Sequence, residues 1–200
     1  MSWFSPGWRR SALSKLGLDK IIVRRIAADD QALLRLWLND SGVRLALEDE
    51  ILDFSKLSET IALIETSDPF RDGALGLMVE AMGRPIGLIY FAWLNWINRN
   101  AEVIVLVGPG ELRHSLGAAV VIEKIGHVAF RMLNLHKIYA FVYASNQDAL
   151  CVFRKLMTEE ACLRNYAKSN QGYGNLHCFG LLAGEYYAAM DKIEGRHLSA

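Results

Sequence analysis

Residues 101–156 constrain the fold more than any other part of the chain. An apolar run of β-type residues, AEVIVLV at 101–107, meets a turn broken by Gly108, Pro109 and Gly110. A long apolar-periodic helix follows, then a second β-type run, HKIYAFVYA at 136–144, and the segment SNQDALCVFRKL from Ser145. A strand, crossover helix and second strand within about forty residues form a right-handed βαβ unit with parallel strands. The turn GPGELRHS (108–115) then lies at the carboxyl end of the first strand and feeds a helix N-terminus. The first four N–H groups of a helix have no partner inside it, and the helix dipole places partial positive charge at the same spot. A phosphate is the natural guest of such a turn, and Arg113 and His114 add charge or donors to it.

The rest of the composition narrows the field. A chain of 200 residues fits one domain that buries roughly two-thirds of its unfolded surface. Formal net charge is zero and no Lys/Arg run exceeds two residues, so the broad positive field that nucleic acid requires is missing. The three cysteines, Cys151, Cys162 and Cys178, are odd in number and form no C-x-x-C. That argues against a disulfide framework or a zinc site and fits a reducing cytoplasm. No H-x-x-x-H or Cys/His cluster suggests a metal, so none is expected. The longest apolar run, Ile86 to Leu94, is far short of the roughly 20 residues that span a bilayer. Residues 1–19 mix Trp3, Phe4 and Trp8 with Arg9, Arg10 and Lys15 but have no continuous apolar core, so they read as an amphipathic arm rather than a secretory signal. The arm docks on its own domain or a neighbouring subunit, or it anchors weakly to a membrane surface or partner.

Before the βαβ unit, a first strand is expected over Lys20–Arg25. Asp29 or Asp30 can cap a helix whose Leu33, Leu34, Trp37 and Leu38 share one face. A second helix begins after Ser55, runs through Leu57, Ile61 and Ile64, and ends at SDPFRDG. Leu75–Ala81 and Pro85–Leu94 read as a hairpin around Met82-Gly83-Arg84. Trp93 and Trp96 either pack on the sheet or line a pocket. On the crossover helix, Val120, Val121, Ile125, Val128, Ala129, Met132 and Leu133 form a broad apolar face, and His127 and His136 are expected as hydrogen-bonded framework residues. Cys151 is expected as a small buried residue. The apolar strand Leu176–Leu182 with Tyr186 and Tyr187 supports either a homodimer or packing within the subunit.

The run from Arg113 through LGAAVVIEKIGHVAFRMLNLHKIYAFVYASNQDALCVFRKL resembles the acyl-CoA-binding core of the GNAT acetyltransferases, above all the branch that acetylates protein N-termini, polyamines and amino sugars. LRLWLNDSGV (34–43), GRPIGLIYF (83–91) and ACLRNYAKSNQGYGNLHCFGLLAGEY (161–186) extend the likeness over about residues 20–187, leaving 188–200 as a tail. The resemblance implies an α/β GNAT fold: a mixed sheet of about seven strands flanked by about four helices, with a parallel βαβ acetyl-CoA site. It also implies that 46–54 wall an acceptor pocket, and that the parallel strands splay near Leu106 and Val107 so that the pantetheine arm pairs there as a strand.

Residue by residue, the family's phosphate motif Q/R-x-x-G-x-G/A falls on Arg113, Leu116 and Ala118, so its first glycine is missing. A frame shifted by one, from His114 through Ser115, Leu116 and Gly117 to Ala119, recovers the glycine and changes the leading residue. An ordinary helix start with no ligand is the competing reading. Asn146 matches an asparagine that contacts the cofactor arm, and it also reads as a helix cap. Transfer to an amine requires proton removal, polarisation of the thioester carbonyl and departure of the thiolate. Glu102 matches a glutamate many relatives carry at this strand's start and is the candidate base, with a solvated strand carboxylate as the alternative. The backbone N–H of Leu106 or Val107 is the candidate oxyanion donor. The tyrosine that usually assists thiolate departure is Phe153 here, which has no proton to give. Tyr143, Ser145 or a water then substitutes, or CoA leaves unassisted. The expected function is acetyl-CoA-dependent transfer to the primary amine of a small molecule or peptide; the alternatives are a non-catalytic acyl-CoA module and a longer acyl donor.

Overall fold

A computed structural model describes residues 21–40, 43, 57–108, 124–169 and 172–195. The arm at 1–19, the pocket wall at 46–54 and the turn residues Arg113, His114, Ser115, Leu116, Gly117 and Ala118 lie outside the described residues.

Among the described residues seven strands form one sheet. Strand β1 (Ile21–Arg25) pairs with β2 (Leu75–Ala81), which pairs with β3 (Arg84–Asn95) and then β4 (Asn100–Val107). Beyond β4 come β5 (Lys137–Tyr143), β7 (Gly172–Leu182) and, at the edge, β6 (Thr158–Ser169). Every neighbouring pair is antiparallel except β4 and β5. That parallel pair is the one the 101–144 pattern demands, since its strands are joined by a crossover rather than a hairpin.

Two apolar layers sit on the two faces. On one, α1 (Gln31–Asn39) and α2 (Leu57–Thr66) bring Leu34, Trp37, Leu38, Ile61 and Ile64 onto Met78, Leu88, Ile104 and Leu106. On the other, the crossover helix α3 (described from 124 and ending in a π-turn, His127–Met132) packs with α4 (Gln147–Leu156) and α5 (Ala183–Gly195). Its partners there include Phe91, Val103, Ile138 and Phe179. Five described helices thus flank the sheet where about four were expected. Helix α5 runs across the expected boundary at residue 187. Strand β7 has neighbours on both sides and Tyr186 packs tilted on Phe130 with ring centroids 5.3 Å apart, so Leu176, Phe179, Leu181 and Tyr186 are buried within the subunit while Leu182 and Tyr187 stay exposed.

Local sequence explains most joints. Met82 and Gly83 take φ values of 51° and 72°, the pair of left-handed residues that a two-residue hairpin with matching twist requires. Ala81 pairs with Arg84, so the turn is Met82-Gly83 and Arg84 already belongs to β3. Ser67, fully buried, accepts from the Gly76 N–H at 2.8 Å and donates to the Ile64 carbonyl at 2.8 Å, which ties the end of α2 to β2. Asp30 stands at the start of α1 but does not cap it. Its carboxylate accepts the Ala27 N–H at 2.8 Å and both terminal nitrogens of Arg24, at 2.7 and 2.9 Å.

Several expectations fail for identifiable reasons. Met132 is 68% exposed because the Leu133 N–H reaches back to the Val128 carbonyl, a five-residue step at 2.9 Å. That wide turn leaves Leu133, rather than Met132, packed against the core. His127 and His136 are exposed, not framework residues. Cys151 is exposed as well. Trp93 is the extra residue of a bulge between Ala92 and Asn95, has φ of 53° and is 67% exposed, so it does not pack on the sheet. Trp96 stacks on Phe70 at 4.9 Å and donates to the Pro69 carbonyl at 3.0 Å, on the loop before β2.

Candidate active site

The parallel seam between β4 and β5 is short. Asn100, Ala101 and Glu102 pair with Lys137, Ile138 and Tyr139, and the register ends there among the described residues, with five residues of β4 still to come. The opening therefore includes Leu106 and Val107 and begins well before them. An extended ligand laid in it has its inner end against the last rung, Glu102–Tyr139.

Backbone alternation decides which amides face this opening. The Gly108 N–H donates to the Ile86 carbonyl on β3 at 3.0 Å, while the Arg99 carbonyl accepts from His136 and Lys137 on the β5 side. Successive residues of a strand point their backbone groups to opposite edges. Leu106, in step with Gly108, therefore turns its amide toward β3. Val103, Val105 and Val107, in step with Arg99, turn theirs toward the seam. Leu106 is thus misplaced as an oxyanion donor, and Val105 and Val107 hold the matching positions. The carbonyl of Leu106 also lies so close to Gly87 that a Cβ there would come within 2.5 Å, which explains a glycine at that point of β3.

Side chains alternate too. Glu102 shares its face with Ile104 and Leu106, toward α1 and α2. On β5, Ile138, Ala140 and Val142 join the opposite layer, so Tyr139 and Phe141 project on the Glu102 side. Glu102 is 3% exposed, which removes the solvated-carboxylate alternative. Across the sheet Tyr139 pairs with Gly180 and Phe141 with Cys178. Gly180 leaves room for the Glu160 carboxylate, whose oxygens would lie 2.3 and 2.9 Å from a Cβ there. Lys137 Nζ donates to both Glu160 oxygens, at 2.7 and 2.6 Å. One face at the closed end of the seam thus carries Glu102, Tyr139, Cys178, and the Lys137–Glu160 pair.

The electrostatics follow. Burial first, then the charges of Glu102 and Cys178, raise the Tyr139 phenol above its usual range. Burial and Glu160 raise the Cys178 thiol, Lys137 opposes them, and Glu102 adds to the rise. Both groups therefore stay protonated at neutral pH.

Asn146 caps α4: its Oδ1 accepts the Ala149 N–H at 3.1 Å. Phe153, on the same helix, packs on Phe179 with ring centroids 5.7 Å apart. Tyr143 closes β5 opposite Leu176, and Ser145 is exposed. Among the described residues no group of three or more His, Cys, Asp or Glu is placed to hold a metal ion. No helix among them is long and apolar enough to cross a membrane. Sequence reasoning missed the Tyr139–Glu160 row, whose only sign was the alternation Lys137, Tyr139, Phe141 within HKIYAFVYA.

A mixed sheet whose parallel seam between β4 and β5 ends after three pairs, with the crossover helix packed on one face, defines the α/β class of this protein. The Acetyltransferase (GNAT) domain model matches residues 20–157, and the chain belongs to the GNAT acetyltransferase family. Among curated relatives, the spermidine N(1)-acetyltransferases of Escherichia coli strains K12 and O157:H7 are each 31% identical over 80 residues, 40% of this chain and 42% of theirs. The aligned region thus spans less than half the length of these relatives. Among solved structures, the spermidine N-acetyltransferase of Vibrio cholerae in complex with CoA and spermine superposes with a TM-score of 0.72 at 23% identity, covering 84% of this chain and 98% of that one. A K23-Q34 chimera of the Vibrio cholerae enzyme with hSSAT gives 0.72 at 20% identity, covering 84% and 99%. These likenesses establish the GNAT fold.

Proposed function

We propose that the chain is an acetyl-CoA-dependent N-acetyltransferase that acetylates a primary amine of a polyamine in a ternary complex. The observation that carries this reading is the seam that ends at a buried carboxylate: Glu102 lies beside the place where the inner end of a strand-like pantetheine arm stops. The family and the spermidine-acetylating relatives support the choice of acceptor class.

The arm pairs with the seam-facing backbone groups of β4 beyond the last rung, at Val105 and Val107, and Arg113, His114, Ser115, Leu116, Gly117 and Ala118 bind the diphosphate. Asn146 caps α4 beside the arm and Phe153 packs along its far side. The amide of Val105 or Val107 polarises the thioester carbonyl, and desolvation makes such a donor worth more than it is in water. Glu102 takes the proton of the attacking amine. An alkylammonium is also held electrostatically by a buried carboxylate, so the same group serves binding and deprotonation. Three free thiols, two of them exposed, suit a reducing cytoplasmic setting.

Phe153 favours a second reading, a CoA-binding module without turnover. Purified protein incubated with acetyl-CoA and spermidine, spermine, an amino sugar and a peptide N-terminus, with thiol release followed, separates the two. Release with the polyamines supports the proposal. Calorimetric CoA binding without release for any acceptor assigns the module, and no CoA binding overturns both.

A further inference from the structure

Resting on the transferase reading above, we infer that Tyr139 is the proton donor to the departing thiolate, a role that Phe153 cannot fill.

The geometry singles out this hydroxyl. Tyr139 is paired with Glu102 on the last rung of the seam, and the two side chains project from the same face. The thioester, at the inner end of a ligand lying in the opening, stops against that rung. Tyr143 is four residues further along β5, about 13 Å at the rise of a strand. Ser145 lies beyond it, past the end of β5. Phe153 presents only a ring to Phe179. Tyr139 itself stands edge-on to Phe141, with centroids 5.9 Å apart, so its ring has a fixed neighbour on the seam side of the sheet.

The groups facing Tyr139 come from four strands: Glu102 on β4, Lys137 on β5, Cys178 on β7 and Glu160 on β6. Burial and the negative charge nearby hold the phenol protonated through the neutral range. It is therefore a donor, while Glu102 next to it is the acceptor.

The step balances. The amine nitrogen forms a bond to the acetyl carbon and the carbon–sulfur bond breaks. The amine proton passes to the Glu102 carboxylate and the Tyr139 O–H proton passes to the CoA sulfur. Return of the proton from Glu102 to the Tyr139 oxygen restores both groups, so the net products are the amide and free CoA thiol. A substrate that arrives as ammonium gives one further proton to solvent before attack.

The test compares wild type, Tyr139→Phe, Phe153→Tyr and the double variant in thiol release with acetyl-CoA and spermidine, alongside acetyl-CoA affinity by calorimetry and thermal midpoint. Tyr139→Phe is expected to lower kcat by about 10²-fold, within the usual range for an acid catalyst, with KM for the amine, acetyl-CoA affinity and thermal midpoint close to wild type. The double variant is expected to regain at least about tenfold of the lost kcat, because the helix α4 position then offers a phenol to the same sulfur. A kcat for Tyr139→Phe within about twofold of wild type overturns the assignment. So does a loss accompanied by a parallel loss of acetyl-CoA affinity and no rescue. Absence of turnover in the wild type with every amine overturns the transferase reading and this assignment together.

Discussion

Replacing Asp30 with alanine removes three hydrogen bonds at once: two from the Arg24 guanidinium, at 2.7 and 2.9 Å, and one from the Ala27 N–H at 2.8 Å. The Asp30 side chain is 7% exposed, but that of Arg24 is 32% exposed and keeps a second partner, Glu80 Oε1 at 2.7 Å. Truncating one member of a buried ion pair costs about 3–5 kcal/mol. Because Arg24 retains Glu80 and some water, the expected loss is smaller, about 2–3 kcal/mol. With a urea slope of about 2 kcal/mol/M, that lowers the unfolding midpoint by about 1–1.5 M without changing the slope. The Arg24 hydrogen bonds hold the Asp30 carboxyl below its ordinary value of 3.8, against the opposing effect of burial, and the Ala27 N–H lowers it further. A depressed carboxyl contributes its stability above the unfolded-state pKa and loses it as pH falls through the folded-state value. The gap between wild type and Asp30→Ala should therefore be constant from pH 7 to about pH 5 and narrow below about pH 4. A gap under about 0.5 kcal/mol at pH 7, or one that widens in acid, refutes this account of the joint.

Met82→Asn should stabilise the protein by about 0.5–1 kcal/mol in urea melts, since Asn tolerates the left-handed φ of 51° better than Met and the exposed Met82 side chain gives up little packing. Gly126→Val should destabilise it by about 1–3 kcal/mol, because even a Cβ there lies 2.5 Å from the Tyr186 ring; adding Tyr186→Leu should recover part of the loss. Glu102→Gln should lower kcat by about 10²-fold at neutral pH, with the deficit shrinking as pH approaches the amine's own pKa, read from thiol release across pH.

Much of the architecture is legible in the chain because it is local. The spacing of Leu34, Trp37 and Leu38 states α1, Met82-Gly83 states a hairpin, and AEVIVLV followed by HKIYAFVYA states a parallel pair. What escapes are phase errors and long-range register. One wide turn ending at Leu133 rotates Met132 into solvent, and one extra residue at Trp93 re-aims an indole; neither leaves a mark in the hydropathy pattern. The Leu106 assignment fails for a related reason. Identifying the strand does not say which alternate amides look toward which edge; the hydrogen bonds of Gly108 to Ile86 and of Arg99 to His136 and Lys137 fix that parity. Glu102 is a candidate that the family resemblance supplies, whereas its company of Tyr139, Cys178, Lys137 and Glu160 depends on four strands meeting in one register.

The three-rung seam has a consequence for the whole molecule. Strands β1–β4 form one ribbon and β5–β7 another, and the main-chain pairing that splices them is confined to Asn100–Glu102 with Lys137–Tyr139 among the described residues. A thioester arm that lends its own amides to the gap acts as a missing slat. At a hundred times its dissociation constant it would add about 2.7 kcal/mol to the folded state. Amide exchange at the seam-facing positions Val105 and Val107 should slow more than elsewhere when it binds, so the reactant doubles as a structural member of the sheet it enters.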